Sequence, residues 1–230
     1  MPARRVVITG LGALTAAADD VRGTAAALAA GSRWPSRITA FDLRTLALDW
    51  HLRRYLSRAA GLAAAAALQA LASGAVERQP GAGPPRGAVL AVVRPGARDA
   101  DLTGAPTADD RPVALAPLDV IRGEAATATA VVAHLAGCEG PLATLGGSLS
   151  ASLEAVGEAF HWIRAGAAAM VVAGGSTAFE GPPLPEAGGW AEAAALLLLE
   201  DRESALARRA PLLAEVLDFA SAGPGAPALL

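Results

Sequence analysis

The sequence predicts an α/β layered domain, and three observations carry that reading. Apolar, β-branched runs ending in or near glycine recur at residues 5–12, 86–93 and 168–175. Segments of helical length, many of them alanine-rich, lie between these runs. The chain has 230 residues, 53% of them hydrophobic, which suffices for a core covered on two sides.

Taken in order, Arg5-Val6-Val7-Ile8-Thr9-Gly10-Leu11-Gly12 reads as a buried strand running into glycines, the mark of a central parallel strand. Asp19 and Asp20 cap a helix that reaches Ala30, and Gly31 stops it. Residues 32–49 read as irregular, with Trp34-Pro35 and Phe41-Asp42 as anchors. A long helix is expected over residues 52–72, ended by Gly74. Its alanines permit close packing in a layer buried on both sides. The uncharged run 59–76 approaches membrane-spanning length, yet it is mostly alanine with Gln69 and Ser73, so it reads as a buried helix of a soluble domain.

Residues 79–85 form a loop, 86–93 a second strand, and 94–112 a polar, turn-rich excursion. A helix follows over 118–135, with Asp119 in its first turn. Residues 140–164 then read as a short apolar strand, a Gly146-Gly147 turn capped by Ser148, and a helix from Leu149 to Arg164. The run 168–175 is another strand, 181–189 a Gly/Pro-rich loop, 193–200 a strand, 202–209 a short helix and 212–220 a last strand. The expected domain covers residues 1–222, and the tail 223–230 is expected to be disordered.

Composition excludes several function classes. Net charge is −3, every basic side chain other than histidine is arginine, and no basic cluster has the density of a nucleic-acid footprint. The single Cys138 excludes an intramolecular disulfide and any multi-cysteine metal site. His51, His134 and His161 are widely scattered, so no metal or other cofactor is expected. The N-terminus lacks the long apolar region of a signal peptide, and the expected location is the cytoplasm, away from the membrane.

Two motifs invite a chemical reading. Gly10-Leu11-Gly12-Ala13-Leu14-Thr15 resembles a dinucleotide-binding turn, but Thr15 stands where a third glycine is needed, and two carboxylates at the following helix terminus would repel a pyrophosphate. Gly146-Gly147-Ser148-Leu149-Ser150 partly matches the G-x-S-x-G nucleophile elbow. The only later histidine, His161, lies on the same helix, ~20 Å along its axis from Ser148. A cap is therefore the expected role of Ser148. A helix N-terminus of this kind suits a thiolate or alkoxide nucleophile, and the seat holds Leu149. Leu149, Leu153, Val156, Phe160 and Ile163 are spaced 4, 3, 4 and 3 apart, which predicts one apolar core stripe with His161 and Trp162 off it. Cys138, beside Glu139, lacks a neighbour that would stabilise a thiolate.

Several segments, in the same order along the chain, resemble the N-terminal half of the β-ketoacyl synthases and their chain-length-factor relatives. They include residues 4–15, Ile38-Thr39-Ala40-Phe41-Asp42, and Ala155-Val156-Gly157-Glu158-Ala159-Phe160 with Ile163-Arg164-Ala165-Gly166. They continue through Ala173-Gly174-Gly175, residues 192–200, and Ala207-Arg208-Arg209-Ala210 before Leu212-Leu213-Ala214-Glu215-Val216. The resemblance implies a thiolase-like half-fold, with a mixed, mostly parallel five-stranded sheet and helices on both faces.

Where the family synthases read T-A-C-A-S-G, this chain reads Gly147-Ser148-Leu149-Ser150-Ala151-Ser152, so Leu149 replaces the cysteine. Chain-length factors commonly carry glutamine there. The family's R-D-G-x-x-x-G-E-G-A segment is shortened around residues 186–193, and the second half, with its two histidines and lysine, has no counterpart in the sequence. Thioester attack needs a nucleophile, and decarboxylation needs donors for the developing enolate.

The resemblance thus implies a catalytically inactive subunit, without catalytic residues of its own, that partners an active β-ketoacyl synthase in type II polyketide, polyene or fatty-acid-like biosynthesis on an acyl carrier protein. A hetero- or homo-oligomer is expected. The implied interface is the strand Leu142, Ala143, Thr144 and Leu145, which in the family pairs across a dimer axis. The alternatives are a serine-dependent acyltransferase or hydrolase using Ser148 or Ser150, and a homodimeric structural remnant. Without the second half, the apolar helix 52–72 is expected to be exposed as a binding surface.

Overall fold

The computed structural model describes residues 4–46, 48–76, 85–93, 117–146, 150–179 and 191–221. In chain order the elements are β1 (Val6–Thr15), α1 (Val21–Ala29), a 3₁₀ turn (Leu43–Thr45), α2 (Trp50–Arg53), α3 (Arg58–Ser73) and β2 (Arg86–Val93). They continue with α4 (Pro117–Gly123), α5 (Ala126–Ala136), β3 (Leu142–Leu145), α6 (Ala151–Ala165), β4 (Met170–Thr177), β5 (Ala193–Asp201), α7 (Arg202–Ala207) and β6 (Ala214–Val216). The excursion at 94–112, the Gly/Pro-rich loop at 181–189 and the tail at 223–230 lie outside the described residues.

The strands form one sheet in the order β3-β2-β4-β5-β1-β6. The mixed α/β sheet and its two helical faces match expectation, with six strands instead of five. The sixth arises because Ala214–Val216 pairs antiparallel with Val6, Val7 and Ile8, covering that edge of β1. Strands β1 to β4 run in one direction, while β5 and β6 are reversed. Strand β1 is therefore not the central member of a parallel array: both of its neighbours are antiparallel.

Strand side chains alternate between two cores, as a period of two requires. Ala88, Leu90, Val92, Val172, Leu196 and Leu198 face the core under α3 and α5. Val89, Val171, Ala173 and Leu199 face the core under α6, with Phe160 and Ile163. The result is three layers, helix on sheet on helix.

Gly10 and Gly12 do not end β1; they let α3 lie against it. A Cβ at Gly10 would sit 2.2 Å from the Ala70 carbonyl oxygen, and one at Gly12 only 1.9 Å from that of Ala66. The two glycines that tempt a nucleotide-binding reading thus serve helix–sheet packing.

The long helix expected at 52–72 is two helices. Tyr55 N–H donates to the Leu52 carbonyl, buried Leu56 turns inward, and Ser57 caps α3 by accepting from Ala60 N–H at 3.2 Å. The helix expected at 118–135 also divides, where Glu124 N–H turns back to the Ile121 carbonyl at 3.2 Å and Thr127 Oγ1 donates to the same carbonyl at 2.6 Å. The expected exposure of the alanine-rich layer is corrected as well. Residues 59–67 are buried without a break. Ile38, Leu48, α5 and the partly buried Phe41, Leu43 and Leu46 join the same core. Leu43 lies so close that a Cβ on Gly61 would meet its Cδ2 at 1.9 Å. No helix among the described residues is long and apolar enough to cross a membrane.

Candidate functional site

The strand–turn–helix at the heart of the sequence reading is formed by β3, Gly146 and α6. Its turn residues Gly147, Ser148 and Leu149 lie outside the described residues. Helix α6 starts at Ala151, two residues later than expected, and Ser150 stands at the N-cap position. The Ser150 hydroxyl makes no cap bond to the backbone; it donates to Glu154 Oε1 at 2.5 Å. Glu154 thereby places a carboxylate in the first helical turn, where the macrodipole favours negative charge.

The N-terminus of α6 lies close on the sheet. A Cβ at Gly175 would come within 2.1 Å of Ser152 Oγ, so glycine in β4 is what admits the helix here. The helix face turned to the sheet is lined by Ala151, Ala155 and Ala159 with Phe160 and Ile163, all buried. Val156 packs partly into the same core. Leu153 does not: it is 67% exposed. The expected single stripe is thus divided, because the small alanines take the sheet side and the leucine is left on the other.

The chemistry of the seat follows from its neighbours. From Ser150 to His161 the helix rises about 16 Å, so this histidine cannot act as a base toward Ser150. His161 is exposed and packs edge-on to Phe160 at 5.4 Å and Phe219 at 6.2 Å between ring centroids. Phe219 also covers Gly157, where a Cβ would meet its ring at 2.1 Å. His51 lies on α2 and His134 on α5. No group of three or more His, Cys, Asp or Glu side chains able to hold a metal ion occurs among the described residues. Burial pushes the Cys138 thiol up to about 12, against the opposing charge of Arg86, so at neutral pH it is a protonated thiol and a poor nucleophile.

The second candidate region, Leu142, Ala143, Thr144 and Leu145, forms the edge strand β3. It pairs in parallel with β2, Leu142 opposite Ala88 and Leu145 opposite Ala91. Thr144 Oγ1 shares a 2.7 Å hydrogen bond with Thr129 Oγ1 of α5, which holds the strand against that helix. Ala143 and Leu145 pack partly into the α6-side core, and Leu142 is 51% exposed. Along its outer side β3 has no strand neighbour among the described residues.

Sequence reasoning missed two buried carboxylates, one at each end of β5. Glu192 is fully buried and accepts from Arg58 Nε at 2.7 Å, Arg58 Nη2 at 2.7 Å, Ile38 N–H at 2.9 Å and Phe179 N–H at 3.2 Å. Burial pushes its pKa upward, but the Arg58 guanidinium and the two backbone donors outweigh this and hold it below the usual carboxylate range. Glu200, also buried, accepts from Arg208 Nε at 2.8 Å and from the Thr9 hydroxyl. Arg208 in turn donates to the Gly74 carbonyl at 2.8 Å and the Ala75 carbonyl at 3.3 Å, just past α3.

The sequence model of the β-ketoacyl synthase N-terminal domain matches residues 36–184, well over half of the chain. The chain belongs to this family. A comparison with curated proteins found no match. Among solved structures, a chain of the AntDE:AntF complex, a type II PKS acyl-carrier protein in complex with its ketosynthase bound to the hexaketide, superposes with a TM-score of 0.78 at 22% identity. That match covers 94% of this chain and 68% of the other. The ishigamide ketosynthase/chain length factor gives 0.71 at 23% identity, over 94% of this chain and 63% of that one. A β-ketoacyl synthase from Burkholderia phymatum STM815 gives 0.73 at 22% identity, over 92% and 62%. At such identities the likeness establishes the ketosynthase fold, and the chain spans less than two thirds of the latter two.

Proposed function

We propose that this protein is a catalytically inactive ketosynthase-like subunit of the chain-length-factor kind, which pairs with an active β-ketoacyl synthase in biosynthesis on an acyl carrier protein. The reading rests on the sequence resemblance, which puts Leu149 where the family motif has its nucleophilic cysteine. A leucine side chain offers neither a nucleophile for a thioester nor a donor for an enolate oxygen. The folds of the ketosynthase/chain length factor and of the carrier-protein complex support the pathway class. Cytoplasmic location and freedom from nucleic acid and membrane partners are part of the same reading.

The proposed interface is β3, pairing antiparallel with the equivalent strand of the ketosynthase. An edge strand with an exposed Leu142 is suited to strand addition. The serine-dependent alternative, through Ser148 or Ser150, has no histidine base within reach on α6, since His161 lies about 16 Å along the helix from Ser150. Intact-mass measurement after incubation with an acyl-carrier thioester tests the proposal. No adduct is expected on the purified chain, and an acyl group mapping to Ser148 or Ser150 would overturn it.

A further inference from the structure

We draw no further inference here: the strongest candidate, the outer ridge of α6 where Leu153 stands 67% exposed one turn before Gly157, is an unpartnered apolar face, and nothing in the structure shows what covers it.

Discussion

Replacing Glu192 with glutamine tests whether the buried carboxylate holds the layers together. The substitution keeps the side-chain length but removes the charge and sets an amide NH₂ toward a site filled with donors. Arg58 and the Ile38 and Phe179 N–H groups then compete for one carbonyl oxygen. Removing one partner of a buried ion pair costs ~3–5 kcal/mol. The Arg58 side chain is 21% exposed and retains some access to water, which favours the lower end. A loss of about 3 kcal/mol corresponds to a drop in melting temperature of roughly 6–12 °C for a domain of this size.

The assay is urea and thermal denaturation of wild type, Glu192→Gln, and the cycle formed by Glu192→Leu, Arg58→Met and the double variant Glu192→Leu/Arg58→Met. Each single change leaves charged or polar groups buried without partners, so the double variant should be less destabilised than the sum of the singles. A Glu192→Gln protein within about 0.5 kcal/mol of wild type, or a strictly additive double variant, would refute the argument. The acid limb supplies a second readout. Because the folded-state pKa of Glu192 lies below its unfolded value, its contribution is fully present above about pH 5 and is lost as pH falls through the lowered folded value. The Glu192→Gln and wild-type stability curves should therefore converge as the solution is acidified.

Ala75 follows α3 with a φ of 51°, and Arg209 follows α7 with a φ of 57°, both in the region that favours glycine. Ala75→Gly should raise the urea midpoint by an amount equivalent to about 1 kcal/mol, and a lowered midpoint would count against the capping argument. Gly12→Ala should destabilise by ~1–3 kcal/mol or more, since its Cβ would meet backbone that has no rotamer to move; a neutral result in the same denaturation assay would contradict the close packing of α3 on β1. If the proposed reading of an inactive subunit holds, Leu149→Cys restores no condensation; product formation from malonyl-carrier protein by mass spectrometry would show otherwise. Leu142→Arg should separate the chain from a co-expressed ketosynthase on size exclusion while circular dichroism stays unchanged, and an intact complex would remove β3 from the interface.

Most elements were legible because their signals are local. The valine-rich runs at β2 and β4, the Asp20 cap of α1 and the αL glycines that follow α5 and α6 each act within a few residues. What escaped depends on contacts far along the chain. Glu192 meets partners 134 and 154 residues away, so no window around Trp190-Ala191-Glu192-Ala193 reveals that it is a buried anchor. Gly10 and Gly12 look like strand ends in sequence, whereas the need for them comes from carbonyls of α3. In α6, periodicity found an apolar stripe but could not tell that Ala151, Ala155 and Ala159 would share the sheet side with Phe160 and Ile163 and leave Leu153 exposed. The division of the long helix had a local signal in Ser57, which the continuity of the alanine run concealed.

The two carboxylates also explain how a helix as featureless as α3 is located. Its buried face is mostly alanine, and sliding such a surface along a sheet changes the apolar area buried very little. Polar anchors discriminate better, because a displaced one leaves a buried group unpaired at a cost of several kcal/mol. The anchors sit at opposite ends. Arg58, the first residue of α3, is held by Glu192 where β5 begins; Arg208, held by Glu200 near the end of β5, reaches the Gly74 and Ala75 carbonyls beyond the last turn. The second contact also places a cation at the negative end of the helix dipole. One strand thus sets both ends of α3, and with it the sheet-facing position of the layer that packs on Gly10 and Gly12.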